Sequence, residues 1–345
     1  VKYWEIWNEP DFDFTGGSSA LPGQPGNWWE HNPNPCGYAL HAPIFHYIRM
    51  LRISYEVIKS LSPNDYVAIG GIGHAAFLDV VLRNSDNPAD GSVDSLYPNL
   101  GGAYFDVLSF HSYPHIDNST RVWDDNIGGF KHFRYSDRCL DGLLKRQADL
   151  REVLEDRGYD GATFPKKEWI VTESNIPSKA FGEYLGSPEA QRNYIIKALV
   201  ASQQNDIRQF HVYQLSDIEP AKRANSEFQL MGLYASIDSI PLYTQKINPV
   251  GVAYKTTSMV LKGKRYDAAQ TAKLNLPSNV RGGAFRAENG SFTYVLWAVT
   301  SKDNSEKANA TFSFPSDFSL ASLRKRDWNF ADAGITTLVE ASQVQ

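Results

Sequence analysis

Two glutamates in this chain stand where apolar runs end. Val1-Lys2-Tyr3-Trp4-Glu5-Ile6-Trp7 leads into Asn8-Glu9 and stops at Pro10, and Glu168-Trp169-Ile170-Val171-Thr172 leads into Glu173-Ser174-Asn175. Two carboxyl groups flanking one bond are what glycoside hydrolysis needs. One is protonated and releases the leaving oxygen; the other is ionised and attacks the sugar or activates water. At roughly 5 to 5.5 Å apart the second group attacks directly, a covalent glycosyl intermediate forms, and configuration is retained. Asn8 is of a type that hydrogen-bonds a sugar 2-hydroxyl, a contact that strengthens toward the transition state. Either glutamate alone reads as readily as a cap or a surface ion pair; the matched pair carries the chemistry.

Such residues need elements that aim them at one another. Aromatic and β-branched residues through Trp7 suit a strand packed on both faces, and Pro10, lacking an N–H, ends its pairing. The same design, an apolar strand running into polar residues, recurs at Phe105–Pro114, Glu168–Asn175 and Gln209–Asp217, with a shorter strand at Tyr66–Gly71. Between these lie helical stripes: Ile44, Ile48, Leu51, Tyr55 and Ile58; the segment Phe77–Leu82; Leu140, Leu143, Leu144, Leu150, Val153 and Leu154, closed by Gly158; and Ile195, Ile196, Leu199 and Val200 behind a Ser187-Pro188-Glu189 start. A last helix spans Val252–Leu261 and ends at Gly263.

Strand-helix alternation of this kind predicts an α/β fold, a parallel (β/α)8 barrel of which residues 1–263 supply strands four to eight, with the active site on the C-terminal edge. The chain opens without methionine and inside a strand, so the first three units are expected upstream of Val1, the sheet is expected to be open at both edges, and these 345 residues alone are not expected to form an active enzyme. From Lys264 the pattern changes to short alternating runs such as Ser291–Trp297 and Ala310–Phe314, which predict a β-sandwich over 264–345. The polar loop Asp11–His41 exceeds the roughly 12 to 15 residues of ordinary connections. Its Trp28-Trp29 pair either stacks on a sugar or pins the loop.

Over 345 residues the formal charge is −5, from interspersed residues, which excludes nucleic acid and anionic membranes as natural partners. No apolar run approaches the roughly 20 residues of a membrane span. A neutral, carbohydrate substrate fits, and 18 Tyr, 18 Phe and 8 Trp supply apolar ring faces for core and ligand alike. Cys36 and Cys139 are read as two free thiols rather than a disulfide. His111 and His115 fall on one strand face with no acid or cysteine to complete a metal site, so no metal and no cofactor are expected. Gly70-Gly71-Ile72-Gly73 lacks the spacing and lysine of a phosphate loop and reads as a tight turn after a strand.

Trp7-Asn8-Glu9-Pro10 together with Thr172-Glu173-Ser174 resembles the retaining glycosidases of clan A. Within that clan the chain is most similar to glycoside hydrolase family 39, the β-xylosidase and α-L-iduronidase type. The similarity rests on Asp-Val-Leu-Ser-Phe-His-Ser-Tyr-Pro within Phe105–Pro114, Tyr-Gln-Leu-Ser-Asp at Tyr213–Asp217, the Met231-Gly232-Leu233 turn and Ala253-Tyr254-Lys255. The resemblance implies Glu9 as acid/base and Glu173 as nucleophile, with His111 and Tyr113 lining the site near the nucleophile; Asn8, Trp28 and Trp29 are read as substrate-binding from their own chemistry, and Tyr213 and Gln214 as the platform under the reacting sugar. The resemblance also implies action on β-linked glycosides of a plant, algal or microbial saccharide; a secreted, periplasmic or cell-surface location is expected. Two positions depart from the family. Tyr213-Gln214 replaces a tryptophan-threonine pair, and Glu173 is followed by serine rather than tryptophan; both bear on which sugar is taken. The competing reading is a non-catalytic carbohydrate-binding relative.

Overall fold

A computed structural model of the protein describes residues 2–11, 44–239, 241, 244–318 and 322–340. In chain order the strands are β1 (Tyr3–Ile6), β2 (Tyr66–Ile69), β3 (Val107–Ser112), β4 (Arg121–Asp124), β5 (Gly129–His132), β6 (Glu168–Ser174), β7 (Ile207–Val212), β8 (Lys264–Tyr266), β9 (Val280–Ala287), β10 (Phe292–Ala298), β11 (Ser322–Lys325) and β12 (Thr337–Glu340). The principal helices are α1 (Ile44–Leu61), α2 (Ala75–Arg83), α3 (Ser136–Asp156), α4 (Pro188–Gln204) and α5 (Pro249–Leu261). The chain divides into two compact units: residues 1–112, 144–173 and 207–211, and residues 113–143, 174–206 and 212–345.

The first unit is an α/β layer whose sheet runs in the order β1-β2-β3-β6-β7, with β1–β2 and β2–β3 in parallel register. Neighbours follow chain order with a helix between each pair, as in the wall of a β/α barrel, and β1 and β7 end the sheet among the described residues. Helix α1 forms where the stripe places it and buries Ile44, Tyr47, Ile48 and Leu51; α2 buries Phe77, Leu78, Val80, Val81 and Leu82. Strand β3 is buried along its whole length. One expectation fails here: β1 is not packed on both faces. Trp4 is 42% exposed and donates from Nε1 to Asp65 Oδ2, because the strand lies at an end of the sheet.

The sheet is curved, and side-chain contacts show by how much. In a flat sheet β1 and β6, three strand spacings apart in this order, would be separated by about 14 Å. Yet Glu5 Oε1 on β1 accepts hydrogen bonds from Ser109 Oγ on β3 at 2.7 Å and from Thr172 Oγ1 on β6 at 2.9 Å. Only a concave face lets three such strands converge. That face is layered, with Tyr3 and Tyr66 packed on Ala68, Val107 and Ile170 below, and Glu5, Ser109 and Thr172 one step toward the C-terminal edge.

In the second unit, Ser187 caps α4 through Ala190 N, and Pro188 occupies the first turn as its fixed φ favours. Helices α4 and α5 supply Val200 and Leu261 to a core shared with Phe285, Tyr266, Val295 and Trp297. The alternating runs beyond Gly263 form a three-stranded antiparallel sheet, β10-β9-β8, and a separate β11–β12 pair. Both are antiparallel, as the alternating pattern predicts. Ala310–Phe314 carries strand periodicity but forms no ladder; Phe312 and Phe314 instead pack edge-on to one another, and Phe314 onto Tyr294. Cys139 is fully buried, whereas Cys36 lies outside the described residues.

Candidate active site

At the C-terminal edge of the first unit, the backbone leaves β1 through an unusual bend. Trp7 and Glu9 both adopt positive φ, 73° and 48°, which costs a non-glycine residue on the order of 1 to 3 kcal/mol and persists only where surroundings enforce it. Two buried anchors do so. Tyr47 donates its hydroxyl to Ile6 O and accepts from Gly70 N, tying the end of β1 to the end of β2. Asp11, fully buried, accepts from Gly73 N and His74 N, each at 2.7 Å. Burial, with a smaller push from the charge of Glu9, raises the Asp11 carboxyl to about 6. Gly70 is required at this crossing, since a Cβ there would stand 2.8 Å from both the Ile6 and Trp7 carbonyl oxygens.

The bend delivers Glu9 to His111. Glu9 Oε1 lies 2.8 Å from His111 Nδ1, and Glu173 Oε2 lies 3.6 Å from the same nitrogen. The ring's other nitrogen, Nε2, is 3.1 Å from Thr172 Oγ1. Residues 9, 111 and 173 thus meet around one imidazole that is 3% exposed, while both carboxylates remain over a quarter exposed and open to a ligand. Burial alone would favour the neutral ring. The hydrogen bond with Glu9 and the charges of Glu173, Glu9 and Glu5 together outweigh it, so His111 holds its proton to higher pH than an ordinary histidine. Gly71 backs the ring: a Cβ at that position would fall 2.0 Å from Nε2. The glycine run after β2 is therefore more than a tight turn, because it clears space for His111.

A nitrogen of His111 and one oxygen from each of Glu9 and Glu173 lie within 4.8 Å of one another, so their types and spacing would also suit a divalent cation. In this structure Nδ1 hydrogen-bonds to Glu9 at 2.8 Å and stands at an ion-pair distance of 3.6 Å from Glu173. Contrary to expectation, two acids therefore stand beside His111, and His115 is not its partner. That pairing fails because β3 ends at Ser112. His115 is buried, neither ring nitrogen has a hydrogen-bond partner among the described residues, and burial pushes it down to about 3.

The remaining expected site residues are placed differently. Asn8 is exposed in the bend beside Glu9. Tyr113, Tyr213 and Gln214 belong to the second unit and gather around Phe228: the Tyr113 ring stands edge-on to Tyr213 and to Phe228, and Gln214 Nε2 donates to Phe228 O. Strand β7 stops at Val212 rather than reaching Asp217. From there the backbone exchanges hydrogen bonds with the Met231-Gly232-Leu233 turn, Gln214 N to Met231 O and Leu233 N to Gln214 O, while Asp217 Oδ1 accepts from Gly232 N. Trp28 and Trp29 lie outside the described residues. Sequence reasoning missed Glu5, Ser109, Thr172, Asp11 and Gly71. The signal was available for the first three, which are polar residues at inward, alternate positions of strands that are otherwise apolar.

No protein-family model matches this chain, and no curated protein matches it. Solved structures of glycoside hydrolases do resemble it. A glucosidase from Croceicoccus marinus has 12% identity and a TM-score of 0.48 over 94% of this chain and 52% of its own. The GH51 arabinofuranosidase from Xanthomonas axonopodis pv. citri has 14% identity and a TM-score of 0.43 over 73% and 48%. A family 17 β-1,3-glucanosyltransferase from Rhizomucor miehei has 14% identity and a TM-score of 0.36 over 57% and 55%. The chain spans about half the length of each of these. At these scores the likeness bears on neither activity nor substrate.

Proposed function

We propose that this protein is a retaining β-glycosidase in which Glu9 is the acid/base and Glu173 the nucleophile. The observation that carries this reading is the closeness of the two acids: their oxygens near His111 lie within 4.8 Å. An inverting enzyme needs roughly 6.5 to 9.5 Å between its carboxyl groups to admit a water, whereas direct attack needs about 5 to 5.5 Å. Both acids sit at the C-terminal edge of parallel strands, where barrel enzymes carry their chemistry. Glu9 shares a short hydrogen bond with His111, which suits a group that gives up and regains a proton in each cycle. Within this class the Phe105–Pro114 and Tyr213–Asp217 motifs favour family 39 and a β-linked oligosaccharide substrate.

The test is a covalent trap. The full-length protein, with the units expected upstream of Val1, is incubated with a panel of activated 2-deoxy-2-fluoro β-glycosides, digested, and mapped by mass spectrometry. A glycosyl adduct on Glu173 is expected. Hydrolysis without that adduct, or a product of inverted anomeric configuration, overturns the assignment. Oligosaccharide binding with neither adduct nor hydrolysis identifies a non-catalytic relative instead.

A further inference from the structure

The contact set beneath the two acids holds a proton-counting problem with few solutions. Three oxygens, Glu5 Oε1, Ser109 Oγ and Thr172 Oγ1, form a closed triangle with sides of 2.7, 2.9 and 2.7 Å. An ionised carboxylate only accepts, and each hydroxyl offers one proton. Two protons therefore serve three close oxygen contacts, one of them to a negative charge. Turning the Thr172 proton toward His111 Nε2, 3.1 Å away, would leave a single proton for all three. With Glu5 ionised, the contacts are served best when Thr172 donates within the triangle, which leaves a lone pair of its oxygen for Nε2.

We infer, building on the glycosidase reading, that Glu5 is a positioning residue: through Thr172 and Ser109 it fixes the tautomer of His111 with Nε2 protonated and Nδ1 turned to Glu9. The consequence falls on the acid catalyst. With Nε2 as donor, the 2.8 Å contact between Nδ1 and Glu9 is a hydrogen bond only if one further proton lies between them, on Glu9 or on Nδ1. That shared proton is available to a leaving group. In the opposite tautomer a neutral ring donates Nδ1–H to an ionised Glu9, and the pair is one proton short. Every charged group facing the ring acts in the same direction. Glu5 lies on β1 and Glu9 follows it, Glu173 ends β6, and on the side of β2 the neighbour is Gly71, which has no side chain. Glu5 is thus the anion that keeps the site loaded, four residues ahead of the acid in sequence and one layer below it.

Two measurements test this. In wild-type protein, 15N-edited NMR of His111 reports which ring nitrogen carries the proton when the ring is neutral; Nε2–H is expected, and Nδ1–H overturns the inference whether or not the protein hydrolyses anything. In Glu5→Gln the alkaline limb of kcat/KM on an aryl β-glycoside is expected to move to lower pH. The result is roughly a tenfold loss above that limb, with recovery at lower pH and little change in KM. Thr172→Val, which keeps Glu5 but removes the relay, should move the limb in the same direction, and Glu5→Asp should largely restore it. A limb that stays in place in folded Glu5→Gln refutes the positioning role. If Glu173 is still trapped by the fluoro-glycoside in that variant, the glycosidase reading survives while this inference does not; a full-length wild type that traps nothing removes the reading itself.

Discussion

Replacing Gly71 by alanine is the most direct way to disturb the site without touching either acid. A Cβ at 71 would lie 2.0 Å from His111 Nε2, 2.3 Å from Cδ2 and 2.7 Å from Cε1, where ordinary contact begins near 3.4 Å. The ring would have to withdraw by about 1.4 Å, the difference between 3.4 and 2.0 Å. A shift of that size takes Nδ1 and Nε2 out of hydrogen-bond reach of Glu9, now at 2.8 Å, and of Thr172, now at 3.1 Å. A misplacement of about 1 Å in a catalytic constellation costs on the order of 100-fold in rate, equivalent to about 2.7 kcal/mol of transition-state stabilisation. Overpacking is expected to destabilise the fold by roughly 1 to 3 kcal/mol as well. Measuring kcat/KM across pH beside a thermal melt separates the two effects. Gly129→Ala is the control, because a Cβ there meets only the Ile127 carbonyl at 3.9 Å. A folded Gly71→Ala protein with wild-type kcat/KM and an unchanged pH profile would refute the claim that this ring holds the site together.

Further outcomes concern the acid and the core of the second unit. Glu9→Ala should hydrolyse substrates with poor leaving groups slowly, keep much of its rate on activated aryl glycosides, and be rescued by azide to give a glycosyl azide of retained configuration; equal losses on all leaving groups would count against an acid role. Lys197→Met should destabilise the protein by about 1 to 3 kcal/mol in urea unfolding, because Lys197 Nζ is 2.6 Å from Asp137 Oδ2 in a buried pair, and the carboxylate then keeps only its bonds from Thr300 and Trp297, with Arg281 3.8 Å away. Burial alone would raise the Asp137 carboxyl, but the charge and hydrogen bond of Lys197, with the bonds from Thr300, outweigh it and hold the group below its usual value. A depressed folded pKa contributes stability that is present above the unfolded value, about 4, and is lost as pH falls through the folded one. Acid should therefore loosen the wild type below about pH 4, and Asp137→Asn should flatten that part of the curve.

Local patterns explain why much of the fold was legible in advance. The Ile44–Ile58 stripe became α1 and the Ser187-Pro188-Glu189 start became the capped α4, since spacing and capping are properties of adjacent residues. The misreadings share a physical cause: pairing partners lie far away in sequence. Ala310–Phe314 alternates as a strand should, yet its phenylalanines are satisfied by ring contacts and no strand among the described residues takes up its backbone. Gln209–Asp217 reads as one strand but ends at Val212, because the residues that follow exchange their hydrogen bonds with the Met231 turn.

By itself the sequence determined the succession of strands and helices and marked Glu9 and Glu173 as acids at strand ends, because alternation, proline stops and caps act over a few residues. Tertiary structure alone decided what stands between those acids. His111 joins residues 9 and 173, Glu5 reaches a threonine 167 positions away, and Gly71 leaves room for the ring. The reason is the curvature of the sheet. It brings side chains from β1, β3 and β6 to one point, and curvature is a property of how strands pack rather than of any one strand.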